Sequence, residues 1–312
     1  MRIAVTGVTG QVGWELVRSL QPLGEVVALD SRALDLADPA RVRAVLREVA
    51  PQVIVNPAAY TAVDKAESET GKARAINAAA PAAMAGYCVD AGALLVHYST
   101  DYVFDGSRDG RYREDDPTAP ANAYGLTKLE GEQAIRTSGC AHLILRTSWV
   151  YSLRGGNFLR TMVRLAAARD HLKIVADQYG VPTPASFIAD VTAQLIARRQ
   201  ASAALKDWSG VLNLTPAGRT SWFEYASRGL ALLHRATQAG TEGRLPATSS
   251  ASPGPEWQVP RMPSLEAIPA SAYPTPARRP ANSCLDLSRI ENVWGMSMPS
   301  WDGLLATVLR DA

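Results

Sequence analysis

In the first half of the chain, short apolar runs alternate with segments of helical periodicity. The runs are RIAVT (2–6), EVVAL (25–29), QVIVN (52–56), ALLVHY (93–98) and HLILRTS (142–148), with helical patterns near 11–20, 39–49, 67–90 and 122–138 between them. Strands that are apolar on both faces need cover on both faces, and a helix between each successive pair supplies it. The alternation predicts an α/β fold, a Rossmann-type doubly wound parallel sheet, whose ligands sit at the carboxyl ends of the strands.

Past residue 150 the rhythm loosens. Helices are expected at about 157–169, 186–199 and 220–234, strands at KIVAD (173–177) and GVLNL (210–214), and short closing helices near 286–292 and 299–310. The expected organisation is a dinucleotide-binding domain over 1–150, with return segments near 177–200 and 210–225, and a smaller α/β substrate lobe mainly over 151–312. From 236 to 282 proline, serine and alanine dominate, so neither helix nor strand is expected there. The stretch 236–258 has no functional account from sequence.

Composition removes several function classes. A net charge of +2, with the arginines scattered, gives no basic field for nucleic acid. Cys88, Cys140 and Cys284 are odd in number and far apart, which suggests neither a disulfide framework nor a zinc site and fits a cytoplasmic protein. No stretch approaches the roughly 20 apolar residues of a membrane span, and MRIAVTGVTG enters strand and turn without an apolar leader. His97, His142, His171 and His234 lack metal-ligand spacing and read as structural or exposed.

TGVTGQVG sets Gly7, Gly10 and Gly13 three apart between the first strand and the first helix. Glycine allows a tight turn and close approach of backbone N–H groups to a pyrophosphate, while the helix N-terminus faces the anion. Chance yields roughly 0.1 such patterns in a chain of this glycine content, so position is what makes it specific. Thr9, Gln11 and Val12 complete the cradle. Asp30, at the end of the second strand, can accept the adenosine ribose hydroxyls, which argues for NADH; Ser31 and Arg32 follow, and the Arg32 guanidinium can pair with the 2′-phosphate of NADPH. The choice stays open. After the third strand, Ala58, Ala59 and Tyr60 of NPAAYTAVD let backbone lie against the cofactor, and Thr61 follows toward the substrate.

Tyr124 precedes Lys128 by four residues, so both share one helix face. Of 32 basic residues only 5 are lysines, yet lysine stands here. A compact ammonium reaches ribose hydroxyls and lowers a neighbouring phenol's pKa in a way that a planar guanidinium does not. Ser99 and Thr100, in HYSTDYVFDG, emerge after the fourth strand, where a hydroxyl holds a substrate carbonyl beside Tyr124.

These stretches, together with TAVDKAE, LRTSWVY, NFLRTM and AYPTPARRPANS, resemble the extended short-chain dehydrogenase/reductase family over residues 3 to about 286. STDYVF, RTSWVY and YPTPARRP narrow the resemblance to the branch acting on dTDP-4-dehydro-L-rhamnose. It implies reduction of that sugar's 4-keto group by NADPH or NADH, with Tyr124 as proton donor, Lys128 on the nicotinamide ribose and Thr100 orienting the carbonyl. It further implies substrate contacts from Asp101, Tyr102 and Trp149, and from Asn157, Arg278 and Arg279 toward the nucleotide diphosphate. Some members hold magnesium between subunits with two glutamates; Glu15 matches one, whereas Ser186 stands at the other, so no metal is expected. A monomer or homodimer without nucleic-acid or membrane partners is the expected state. A nucleotide-sugar epimerase or dehydratase, and a non-catalytic dinucleotide-binding regulatory subunit, are the alternatives.

Overall fold

The computed structural model describes residues 1–241 and 254–312. The chain forms two compact units, one of Met1–Thr147, Ala185–Leu214 and Thr275–Ser297, the other of Ser148–Pro184, Thr215–Pro274 and Met298–Ala312.

The first unit is built on six strands: β1 (Arg2–Thr6), β2 (Glu25–Leu29), β3 (Val53–Asn56), β4 (Leu94–Thr100), β5 (Ala141–Thr147) and β6 (Gly210–Asn213). All pair in parallel, in the order β6-β5-β4-β3-β1-β2. The expected doubly wound sheet is what the chain forms. Its order reverses direction between β1 and β3, and the crevice at such a switch point lies at the strands' carboxyl ends. β3 and β4 are buried at every position, which is why they open on apolar runs, VIV and LLV, instead of alternating, while Asn56, His97, Ser99 and Thr100 are polar residues buried toward their carboxyl ends.

Local signals set the helix ends. Asp38 accepts from the backbone N–H groups of Ala40 and Arg41 and starts the helix Pro39–Val49, with proline at its first position. Val42, Val45 and Leu46 are that helix's buried face, each side chain contributing about 1.5–3 kcal/mol by leaving water. Asn122 caps Ala123–Ser138 by accepting from Gly125 N–H at 2.8 Å, and Gly139 ends it at φ +80°.

The helix expected over 67–90 is present as one unbroken helical stretch from Thr70 to Ala91, in which a π-helical turn at Ala75–Ala79 joins Thr70–Arg74 to Ala80–Ala91; the short helix Val63–Ala66 precedes it. The turn holds the fully buried Asn77, whose side chain accepts from Tyr60 N–H at 2.8 Å and donates to Tyr60 O at 3.1 Å. A purely α-helical stretch would lose this grip on the β3 loop.

The second unit packs the helices Phe158–Ala168 and Trp222–Thr241 over one parallel ladder of His171–Val175 with Ser264–Ile268. Two-residue pairs add Val150–Tyr151 with Thr183–Pro184 and Tyr179–Gly180 with Thr220–Ser221. Its core includes Tyr151, Leu159, Val163, Tyr225, Leu230 and Trp257. The expectation of neither helix nor strand over 236–282 is corrected here: Trp222–Thr241 runs past its expected end, and Ser264–Ile268 is a strand. SLEAI carries little apolar signal, and it is a strand because a partner ninety residues away supplies its hydrogen bonds. Of the Pro/Ser-rich stretch 236–258, residues 242–253 lie outside the described residues.

Candidate active site

The turn after β1 is shaped for close backbone approach. Gly7 has φ +57°, and a Cβ there would stand 2.8 Å from Ala58 Cβ; a Cβ on Gly13 would stand 2.2 Å from Gly7 O. Only glycine allows the first helix and the β3 loop to close on this turn together, so Gly7, Gly10, Gly13 and Ala58 form one cradle at the N-terminus of Gln11–Ser19. Thr9 is exposed at its rim, and Gln11 and Val12 are half-buried. Ala59 and Tyr60 continue the loop, where the Tyr60 phenol donates to Glu69 at 2.9 Å. Thr61 is exposed.

Asp30 immediately follows β2. Its Oδ1 accepts from the backbone N–H groups of Arg32 and Ala33, both at 2.9 Å, and these bonds hold the carboxyl below the usual carboxylate range. Asp30 is half-buried, and Ser31 and Arg32 are exposed beside it.

At the end of β4, Ser99, Thr100 and Asp101 are buried. Thr100 Oγ1 donates to Asp101 Oδ1 at 2.9 Å and accepts from Tyr102 N–H at 3.2 Å, and the Thr100 hydroxyl acts to lower the pKa of the Tyr124 phenol. Asp101 Oδ2 is buried without a hydrogen-bond partner, as is Ser99 Oγ. Burial raises the Asp101 carboxyl to about 6 and, with the Asp101 charge, pushes the Tyr124 phenol up to about 12. The Tyr102 ring meets Tyr124 edge-on, centroids 5.6 Å apart.

Lys128 is 2% exposed and faces β4: its Nζ donates to Tyr98 O at 2.6 Å and lies 3.2 Å from His97 Nε2. The i, i+4 spacing puts phenol and ammonium on one face as expected, but the ammonium is directed at the strand beneath, and burial and Asp101 set the phenol's acidity. Burial lowers Lys128 to about 8, with Glu132 opposing. Glu132 forms a bidentate pair with Arg146 of β5 at 2.9 and 2.7 Å, both side chains buried, which ties the helix Ala123–Ser138 to the sheet.

The two neighbouring arginines differ. Arg279 pairs with Asp64 at 2.8 Å, and its charge acts on Tyr102; Arg278 is exposed, and its carbonyl accepts from Asn122. Asp64 also accepts from Ala277 N–H at 3.1 Å.

Within the second unit, Trp149 is half-buried with φ +45° and stacks on Trp222 at 3.5 Å. A Cβ on Gly180 would stand 2.4 Å from Trp149 Cε2. Asn157 caps Phe158–Ala168, accepting from Arg160 N–H at 3.0 Å and donating to Ser152 O at 2.7 Å. Its amide is held by backbone on both sides.

At the position considered for magnesium, Glu15 pairs with Arg18, which also engages Asp190, one turn beyond Ser186. Among the described residues no group of three or more His, Cys, Asp or Glu is placed to hold a metal ion. His97, Asn56, Asn77, Asp64 and Glu132 were not singled out from sequence as site residues. The histidine within the apolar run ALLVHY was the one visible signal.

The whole chain, residues 1–312, matches the family described as the RmlD substrate binding domain. It is 45% identical to a dTDP-4-dehydrorhamnose reductase of Burkholderia thailandensis over 314 residues, covering 100% of this chain and 99% of that one, and 42% identical to that of Escherichia coli K12, covering 96% and 94%. A crystal structure of dTDP-4-dehydrorhamnose reductase from Bacillus anthracis in complex with NADP is similar with TM-score 0.83 at 30% identity, covering 100% and 99%. A Thermus thermophilus UDP-glucose 4-epimerase shares the fold, with TM-score 0.75 at 18% identity, covering 100% and 98%.

Proposed function

The chain belongs to the RmlD substrate binding domain family, that of the dTDP-4-dehydrorhamnose reductases, and on that premise we propose how its residues divide the work. It is an NAD(P)H-dependent oxidoreductase that reduces the 4-keto group of dTDP-4-dehydro-L-rhamnose to give dTDP-L-rhamnose.

The cradle fits a dinucleotide: two positions where a Cβ would fill the turn, at a helix N-terminus, are what a pyrophosphate requires. Gly7, Thr9, Gly10, Gln11, Val12 and Gly13 hold the phosphates, Asp30, Ser31 and Arg32 the adenosine ribose, and Ala58, Ala59 and Tyr60 the backbone side. Asp30 Oδ2 serves the hydroxyls of NADH and Arg32 the phosphate of NADPH, so both cofactors are accepted. Bound, the reduced nicotinamide supplies the hydride.

Tyr124 gives its proton to the carbonyl oxygen as negative charge develops there. Its raised pKa keeps the phenol protonated throughout the neutral range, the form a reductase needs. Thr100 orients the carbonyl, and Lys128 donates to the nicotinamide ribose. Asp101 Oδ2, a buried acceptor without a partner, takes a sugar hydroxyl, with Ser99 and Tyr102 beside it and Thr61 at the rim. Trp149, backed by Trp222, offers its remaining surface to the deoxysugar ring. Arg279 faces the diphosphate; Arg278 screens it from solvent, and Asn157 acts by capping its helix. The observation that carries this assignment is the buried Thr100–Asp101 hydrogen bond, ending in an unpartnered carboxylate oxygen whose charge acts on the Tyr124 phenol.

Three buried free thiols, and no helix among the described residues long and apolar enough to cross a membrane, accord with a cytoplasmic enzyme acting as monomer or homodimer. The test follows the near-ultraviolet absorbance of NADPH, then NADH, with dTDP-4-dehydro-L-rhamnose. Substrate-dependent decay that is lost in Tyr124→Phe is the expected result. Undiminished decay in that variant overturns the role of Tyr124.

A further inference from the structure

Three parallel strands carry a row of polar side chains where apolar ones would pack. Asn56 of β3 and His97 of β4 are register partners, and Thr6 of β1 directly follows the Val5↔Val55 pair. Thr6 Oγ1 lies 2.6 Å from Asn56 Oδ1, Asn56 Nδ2 lies 3.1 Å from His97 Nδ1, and His97 Nε2 lies 3.2 Å from Lys128 Nζ. None of the four is more than 2% exposed. Desolvating four polar groups is costly unless each is paired, and here each is paired with the next, Lys128 also donating to Tyr98 O.

We propose that His97 is a positioning residue for Lys128: by accepting one N–H of its ammonium while Tyr98 O accepts another, it leaves a single N–H directed at the cofactor. The inference rests on Lys128 as the ribose-binding group. An ammonium has three N–H donors in fixed tetrahedral directions, so two acceptors on one strand determine where the third points. A lysine held by Tyr98 O alone turns about that one bond.

The acceptor must be an uncharged imidazole. Burial and the charge of Lys128 hold His97 well below its ordinary pKa, so it stays neutral. The other charges facing Lys128 are Glu132, one turn along its own helix, and Arg146 of β5, which engages Glu132. With Nε2 accepting, the single imidazole proton sits on Nδ1. Asn56 then presents its carbonyl oxygen to Nδ1 and its NH2 to Thr6 Oγ1, an exchange of two atoms of nearly equal size that moves no neighbour. The row fixes the tautomer, and the tautomer fixes the lysine.

Two substitutions separate positioning from packing. A glutamine amide oxygen reaches the place of Nε2, whereas an asparagine amide reaches only that of Nδ1. His97→Gln is expected to retain NADPH affinity and kcat within about threefold, whereas His97→Asn weakens NADPH binding roughly tenfold and lowers kcat comparably, the size of one hydrogen bond to a charged group. The KM for the sugar is unchanged in both. In His97→Asn the alkaline fall in NADPH affinity moves below its position near the Lys128 pKa; in His97→Gln it stays. Independently of turnover, 15N NMR of the wild-type imidazoles is expected to show a neutral Nδ1–H His97 that does not titrate while the protein is folded. An Nε2–H tautomer, or equal defects in both variants, overturns the proposal. Lys128→Met separates the two levels: if it keeps NADPH affinity, the reading of Lys128 itself has failed.

Discussion

In the first unit residues nearest the proposed chemistry are held by hydrogen bonds: Thr100 to Asp101, Lys128 to Tyr98 O and His97. In the second unit, the corresponding side chains are held by ring contacts. Trp149 stacks on Trp222, and Phe158 packs at 4.4 Å from Trp222 and 5.6 Å from Tyr225. Hydrogen bonds fix direction and fail sharply when one atom is removed, whereas stacked rings fix a surface and yield by degrees. Lesions at Tyr124, Lys128 and the glycine cradle of the first unit are therefore expected in kcat and cofactor affinity, and lesions around Trp149 of the second in the substrate KM.

The sharpest break is Tyr124→Phe, which removes one oxygen. Turnover is expected to fall on the order of 10³-fold with NADPH affinity retained, as single-turnover kinetics and fluorescence titration will tell. Asp101 supplies the next test, through pH. Its folded carboxyl is raised to about 6 from an ordinary 3.8, so the unfolded state releases its proton first. Between about pH 4 and 6 the folded protein thus binds more protons, and this group's contribution to stability falls as pH rises, by at most about 3 kcal/mol. Asp101→Asn is expected to flatten that decline in thermal unfolding; an unchanged profile would assign it to other groups.

Gly13→Ala places a Cβ 2.2 Å from Gly7 O. A loss of about 1–3 kcal/mol in unfolding free energy is expected, together with weakened NADPH binding. In the second unit Gly180→Ala drives a methyl into the Trp149 indole. The sugar KM is expected to rise roughly tenfold while NADPH affinity stays constant, about 1.4 kcal/mol confined to one ligand. A changed NADPH affinity would break the comparison between the units. Smallest is the contrast of Arg279→Ala, with a several-fold rise in KM, and Arg278→Ala, within about twofold, since exposed charges contribute little.

The same contrast governs what could be read from sequence. β1 and β2 begin and end where their apolar runs do; for β1, buried at four of its five positions, this is because a buried parallel strand is written in consecutive residues. The glycine cradle was legible because Gly7 and Gly13 are required by local sterics, and Tyr124 and Lys128 because helix geometry alone aligns them. Neither the direction of Lys128 nor the partner of Arg279 was, since β4 and Asp64 reach them across long sequence separations. Ser264–Ile268 was missed for the same reason. Trp149 was recognisable as a candidate, but its stacking on Trp222, seventy-three positions later, was not.

The first unit is assembled from three separate stretches, and the last, Thr275–Ser297, is complete only 150 residues after the end of β5. At a synthesis rate of 5–20 residues per second, roughly 8–30 s pass on the ribosome between completion of β5 and arrival of that last stretch. For about the first half of this interval β5 has no β6, and its open edge is a template for pairing with another chain. The hazard for this enzyme in the cell therefore lies less in the folded state than in the nascent one. The glycine cradle is already complete at that stage, so dinucleotide that binds the partial sheet would hold it closed while the remaining residues emerge.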